Sequence, residues 1–492
     1  MHLLRVPEGG NTLEAGGGHR AAVSPVFFPK QKFSARLANS DCLCFCPRPH
    51  MKELTAMTLS RRKLIQVAGA GAAALALPRK TFAAKKTLRI LQWNHFVPGY
   101  DKWFNNEYIK EWGQKNDTEV IVDNVGIPAI NPTAAAEVSA KKGHDLFMFL
   151  WPRPAYEEDV IDHGEIYQEC EKKYGKPIDL AIKSTYNPKT KKYFGFSDMF
   201  VPDPVNYRID LFQEVGGNVD SWDNIRKYGK MIKDKTGIPV GIGQAAEIDT
   251  AMAVRAILYA FGGSEQDEQG NIILNSKNTV EAVKFVKALY QETMTPEVLS
   301  WDASSNNRAM LAGKASVVLN AISVTREGEN KGMEISDKIG LAKAAQGPTR
   351  RMGLEHVMSN FVIWKFAGNI DGAKRFLVDL IGNFHRAYDA SEYYNFPCFP
   401  KQVPDLKQTL ANDKKGKPHG KYSVLADAEQ WATNVGYPGY ANAAIDEIYS
   451  TWVLNTMFGQ ASTGAMSPED AVKEADAKAR KIWQKWKERK LL

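Results

Sequence analysis

The sequence predicts an α/β fold, with a sheet of parallel neighbours built into a two-lobed molecule. Three observations carry that expectation. Between residues 87 and 150 the apolar periodicity alternates strand, helix, strand, helix, strand, as at the start of a parallel α/β sheet. The last of those strands is a continuous apolar run, typical of a strand buried on both faces. Just over 400 residues follow an N-terminal leader, and a single core stops growing near about 250–300 residues, so two lobes are expected.

Residues 1–56 have no hydrophobic period, many Gly and Pro, and the cluster Cys42, Cys44, Cys46. They read as an unstructured or non-native leader, with Met57 as the expected start. Ser60-Arg61-Arg62-Lys63-Leu64-Ile65 precedes an Ala- and Gly-rich apolar stretch that ends near Leu77. That is the address read by the twin-arginine export machinery, so residues 57–84 are expected to be a signal peptide cleaved near Ala83 or Ala84, with delivery to the periplasm. The apolar stretch is shorter than the ~20 residues of a membrane span. Pro78 and Arg79-Lys80 argue against a buried core helix. The cysteine cluster, even with His50 nearby, lacks the C-x2-C pairs of a zinc site, and no metal is expected there.

The leader also holds the positive charge. Of 64 Lys and Arg and 56 Asp and Glu, 12 basic and four acidic residues lie before residue 85, leaving 52 of each. A near-neutral mature chain needs no polyanionic partner, and no nucleic acid is expected. Cys170 and Cys398 remain beyond the leader. They read either as a disulfide in an oxidising compartment or as two small buried apolar residues.

Residues 87–92 read as the first strand. A helix over residues 100–115 carries Trp103, Phe104, Tyr108 and Trp112 at helical spacing. A second strand (119–124), a helix (133–142) and the buried strand (145–150) complete the opening. In such sheets ligands sit beyond the carboxyl ends of the strands. The loops there are aromatic: Trp93-Asn94-His95-Phe96 and Trp151-Pro152-Arg153-Pro154. Aromatic faces beside a few polar groups suit a neutral polyhydroxylated ligand, whose C–H faces stack and whose hydroxyls need bidentate partners. Core packing is the competing reading for each Trp.

Further on stand Val205-Asn206-Tyr207-Arg208-Ile209-Asp210-Leu211-Phe212 and Ser221-Trp222-Asp223-Asn224. This pattern resembles the family 1 extracellular solute-binding proteins, the maltose-binding-protein-like receptors of ABC importers. Their signature is a strand ending in Tyr-Asn, a Lys-Asp-Leu-Phe-type turn into a helix, and a later Thr-Trp-Asp-Glu. Arg208 departs from the usual Asn and puts the local turn in question. The resemblance continues in order through Phe261-Gly262-Gly263, a short strand over 271–275, Met310-Leu311-Ala312-Gly313-Lys314-Ala315, a return strand over 359–366, and Asn369-Ile370-Asp371-Gly372-Ala373.

The resemblance implies a two-lobed periplasmic binding protein of type II, with an interlobe hinge and cleft. Crossings are expected near 200–204, 340–347 and 396–401. Lobe one would be 87–201 plus 346–396, and lobe two 202–345 plus 397–492. The implied protein is a monomeric receptor and not an enzyme, holds no cofactor, captures a sugar or polyol, and delivers it to ABC permease subunits. Implied contacts are Trp93, His95, Phe149 and Trp151 from lobe one, Asp203 at the first crossing, and Glu247 where the family often places an acid. Asn320 stands where relatives present a Gly/Asn-Gly-Pro-Trp element. Here Asn320-Ala321-Ile322-Ser323 lacks the stacking Trp, for which Trp301 is the expected substitute, and Tyr437 lies in a late loop expected to enter the cleft. On the residues alone, Glu247 and Asp249 also fit acids that favour a helix start. Trp364 reads as a core residue, and Trp452 as a helix-packing one.

Two other classes compete. An exported oxidoreductase would use Gly241-Ile242-Gly243-Gln244-Ala245-Ala246 after a strand over 238–240, but no second strand ends in an acid about 20 residues on. A carbohydrate-active enzyme would need an acid/base pair spanning the scissile bond, and none is identified. No Walker loop, G-x-S-x-G elbow, H-E-x-x-H or paired-Cys spacing occurs.

Overall fold

The computed structural model describes residues 86–492. The leader, the twin arginines, the cysteine cluster, Met57 and the cleavage positions lie outside the described residues. In chain order the principal strands are β1 (Lys86–Trp93), β2 (Thr118–Val125), β3 (Leu146–Phe149), β4 (Met199–Pro202), β5 (Val205–Arg208), β6 (Val317–Leu319), β7 (Ile339–Ala342), β8 (Gly353–Met358), β9 (Asn360–Ile363), β10 (Phe396–Pro397) and β11 (Ala432–Thr433).

These strands form three sheets. The first has the order β9-β3-β1-β2. In it β1 is parallel to both β2 and β3, and β9 returns antiparallel to β3. All four residues of β3 are buried, as its unbroken apolar sequence requires. The third sheet, β6-β5-β7, is antiparallel throughout. Between them lies the sheet β10-β4-β8-β11. The chain leaves β4 through Asp203-Pro204 directly into β5, so it passes from the middle sheet to the third within two residues. The prolines limit backbone freedom at that step and withhold N–H donors from sheet pairing.

Local chemistry sets the helix ends. Ser221 caps the Trp222–Thr236 helix by accepting the Asn224 N–H, and Gly237 closes it at φ 77°. Gly313, at φ 72°, makes the turn from the Ser305–Leu311 helix toward β6. Arg208 does not disturb its turn. Its guanidinium binds Asp210 through two bonds of 2.8 and 2.6 Å and fixes the entry to the Ile209–Glu214 helix.

Several sequence expectations shift. The helix expected from residue 133 spans Ile127–Ala140, because Pro128 fits the first turn, where an N–H has no intrahelical partner. Residues 271–275 form no strand; Asp267 accepts the Gln269 and Asn271 N–H groups and folds the segment into a turn. Residues 238–240 are not a strand either, since Pro239 interrupts the ladder, although Val240 donates to Thr293 O. The helix expected over 100–115 is interrupted by a wider π turn at Phe104–Tyr108. Cys170 and Cys398 are buried free thiols, and burial pushes the Cys170 thiol up to about 12.

Candidate functional site

A cavity of about 810 Å³ opens at the carboxyl edge of the parallel strands of the first sheet. One wall follows the carboxyl ends of three neighbouring parallel strands, as expected for this class of sheet. After β1 come Asn94, His95 and Phe96; after β2 come Gly126 and the first turns of the Ile127–Ala140 helix; after β3 comes Trp151. The facing wall is Ala246-Glu247-Ile248 and Asp302-Ala303-Ser304, and Ser450 and Trp452 close one end.

His95 is held rigidly. Its Nδ1 accepts the Val97 N–H at 2.9 Å, which leaves the proton on Nε2 to donate to Asn395 Oδ1 at 3.0 Å. Burial lowers its pKa to about 4, only partly offset by the Asn395 and Val97 bonds, so the ring is neutral near pH 7. It stacks on Tyr100 with centroids 4.6 Å apart. Trp93 lies fully buried against His95 and Phe96 and supports that loop from below.

Trp151 is braced from behind by Tyr449 at 5.3 Å and by the Arg153 guanidinium at 5.4 Å. Arg153 also donates to Asn131, another wall residue, and pairs with Asp446 at 3.0 Å. Asp446 accepts the Ala155 N–H as well. One buried cation thus positions two wall residues and ties the loop after β3 to the Ala443–Ser450 helix. Glu247 is the N-cap of the fully buried Ile248–Ala260 helix and accepts the Asp249 and Thr250 N–H groups. It serves as the helix-start acid and still borders the cavity.

Other expected contacts fall elsewhere. Phe149 is core, stacked on Tyr156 at 5.6 Å and edge-on to Trp364, because β3 is covered on both faces. Trp301 borders a separate cavity of about 310 Å³ with Pro239 and Gly241. Tyr437 packs on Tyr259 at 5.6 Å and accepts a bond from Arg350, away from the cavity. Asn320 is buried among amides, its side-chain nitrogen donating to Asn306 and Asn307 while its backbone carbonyl accepts from the Asn206 side chain. Asp203 lies 3.5 Å from His356 Nδ1 behind the cavity.

Sequence reasoning missed Trp452 as a wall residue. It adopts the left-handed conformation, φ 58° and ψ 34°, between two helices. Such geometry is an outlier for a bulky side chain and costs of order 1–3 kcal/mol. The only trace in the sequence is the break in helical periodicity at Ser450-Thr451. Gly126 to Pro132 were also missed, because the helix was expected to begin later.

The site is thus an aromatic cavity at the carboxyl ends of the parallel strands β1, β2 and β3, on a three-sheet α/β frame. Residues 99–381 match the bacterial extracellular solute-binding protein family. That is more than half of the chain, and the chain belongs to this family. A Brucella abortus (strain 2308) protein named "Putative binding protein BAB2_0491" is 22% identical over 318 residues, 64% of this chain and 69% of that one. Among solved structures, maltose-bound MalE3 of T. maritima has a TM-score of 0.66 at 18% identity, covering 80% of this chain and 99% of that chain. A Thermotoga lettingae ABC transporter solute-binding protein bound with alpha-D-tagatose has a TM-score of 0.67 at 18% identity, covering 81% and 99%. At such identities the likeness is one of fold.

Proposed function

We propose that this chain is the substrate-binding receptor of an ABC importer, capturing a sugar or polyol in the interlobe cleft and passing it to the permease without chemical change. The observation that carries the reading is the cavity itself. Trp151 and Trp452 face it from different parts of the chain, with Phe96 beside them, and Asn94, Asn131, Glu247 and Ser304 interleave as hydrogen-bonding groups. The cavity's charged lining residues are Glu247 and Asp302, with no Lys or Arg among them, which favours a polyhydroxylated body over an anionic one. The maltose and tagatose held by the structural neighbours support the same solute class.

Lobe one (87–201 plus 346–396) and lobe two (202–345 plus 397–492) close about the crossings near 200–204, 340–347 and 396–401, burying the solute between them. The protein is exported to the periplasm by the twin-arginine route, loses residues up to Ala83 or Ala84, and acts as a monomer. Among the sequence-based contacts, His95, Trp151 and Glu247 are the direct ones, and Trp452 joins them. A thermal-shift screen over neutral sugars and polyols tests the reading. A ligand raises the melting temperature in proportion to ln(1 + [L]/Kd). No shift across the panel, or release of a cleavage product from any hit, overturns it.

A further inference from the structure

Arg153 and Asp446 stand one layer behind the cavity, and neither borders it. Their side chains are 9% and 1% exposed. Arg153 Nε meets Asp446 Oδ1 at 3.0 Å and Oδ2 at 3.2 Å. From the other side of the guanidinium, Nη1 donates to Asn131 Oδ1. The guanidinium carbon lies 5.2, 5.4 and 5.1 Å from the ring centres of Phe149, Trp151 and Tyr156. Asp446 reaches forward in turn. The Ser450 hydroxyl lies 2.7 Å from the Asp446 carbonyl oxygen and 3.0 Å from Oδ1, while Oδ2 accepts the Ala155 N–H at 3.2 Å. Of these partners, Asn131, Trp151 and Ser450 line the cavity.

A buried ion pair is weak evidence for stability, because taking both charges out of water offsets most of their attraction. What this pair supplies is direction. The planar fork of an arginine aims fixed N–H groups at Asp446 and Asn131 at once, whereas a lysine ammonium brings a point charge without that fork. Asn131 stands on the Ile127–Ala140 helix, Trp151 on the loop after β3, and Ser450 at the end of the Ala443–Ser450 helix. One pair therefore orients wall residues from separate stretches of chain. In the lobe division proposed above, Asn131 and Trp151 belong to lobe one and Ser450 to lobe two, so the pair also sets the register of the two walls where they meet. Binding groups work only when held within about 0.5 Å of their productive geometry, and residues behind them do the holding.

We infer that Arg153 and Asp446 are positioning residues for solute binding: without touching the solute, they fix Asn131, Trp151 and Ser450 in the directions that stack and hydrogen-bond a polyhydroxylated body. That role rests on the sugar-receptor reading and adds to it residues that set the affinity from behind the wall.

Titration calorimetry at pH 7 with maltose, D-tagatose, D-glucose and ribitol tests it, beside the melting temperature of each ligand-free protein. Arg153→Lys keeps a charge opposite Asp446 and is expected to melt within a few degrees of the wild type. It binds the probes that the wild type holds about tenfold more weakly, the worth of one well-placed hydrogen bond. A double-mutant cycle separates positioning from bulk stability. In an Asn131→Ala background the loss caused by Arg153→Lys shrinks to about threefold or less, because part of what Arg153 oriented is gone. Asp446→Asn behaves in the same way against Ser450→Ala, and this second cycle decides the matter if Arg153→Lys does not fold. A merely structural pair would lower the melting temperature and give losses that multiply across both cycles. Wild-type affinity in Arg153→Lys, or multiplying losses, overturns the inference and leaves the sugar-receptor reading intact. No heat from any probe with the wild-type protein removes both.

Discussion

Two buried charge clusters in this molecule are built on opposite principles. Around Arg326 the account is balanced. Arg326 binds both oxygens of Asp413 at 3.2 and 2.8 Å and Glu329 at 2.9 Å, while Lys421 binds Glu329 at 2.7 Å. The Tyr422 ring lies 3.9 Å under the guanidinium, and its hydroxyl donates to Glu329 at 2.9 Å. Although burial opposes ionisation, the bonds from Arg326 hold the Asp413 carboxyl below its usual range. Around Asp203, Asp249 and His356 the pairing is looser: Asp203 and His356 Nδ1 stand 3.5 Å apart, Asp203 Oδ1 and His356 Nδ1 have no hydrogen-bond partner, and burial pushes the Asp249 carboxyl up to about 8. The first cluster is complete within the chain and fastens loops together. The second leaves buried polar atoms without partners.

The largest test of that contrast is Arg326→Met. It strands Asp413 and Glu329 as buried anions, and the expected loss is about 3–5 kcal/mol of unfolding free energy in urea denaturation. A loss below about 1 kcal/mol would show that the cluster is not a stability element. Trp452→Gly comes next and should separate binding from stability. It removes an aromatic wall and weakens solute binding about tenfold or more, while glycine accepts φ 58° without strain, so the melting temperature holds or rises. A fall in both would assign Trp452 to the core.

A smaller effect is expected at Glu355, a neighbour of His356 on β8. Burial pushes its carboxyl up to about 8, although it accepts the Val435 N–H at 2.9 Å. A carboxyl raised in the folded state contributes stability that is fully present below the unfolded value near 4.5 and is lost as pH rises through about 8. Glu355→Gln lacks that loss. Its melting temperature relative to wild type should therefore climb by a few degrees between pH 4.5 and 8, as differential scanning calorimetry would record. A flat difference across that range would show that the group ionises freely. The smallest effect expected is at Trp301, which borders a separate cavity. Trp301→Ala should change solute affinity less than twofold in calorimetry, and a larger loss would return it to the binding site.

The elements read correctly from sequence are those whose causes are local. The apolar run of β3, the turn at Gly313 and the helix after Asn369 each rest on a few adjacent residues. The site was legible where it follows strand ends: His95 and Trp151 sit on loops that any parallel sheet would direct to its carboxyl edge. Glu247 was visible both as a cap and as a family position. Trp301 and Tyr437 were misplaced because a motif position gives the loop without the direction in which its side chain points.

By itself the sequence determined the α/β alternation, the charge neutrality beyond residue 84, and the family pattern from Tyr207 to Phe376. These are carried by periodicity and by short motifs, which act along the chain. Only the tertiary structure decided that Trp452 borders the cavity in a left-handed conformation, that Arg153 fastens Asn131 and Trp151 to Asp446, and that Asp203 comes within 3.5 Å of His356. The physical reason is that burial and charge balance depend on distances through space, and those exist only once separate stretches of chain have packed together.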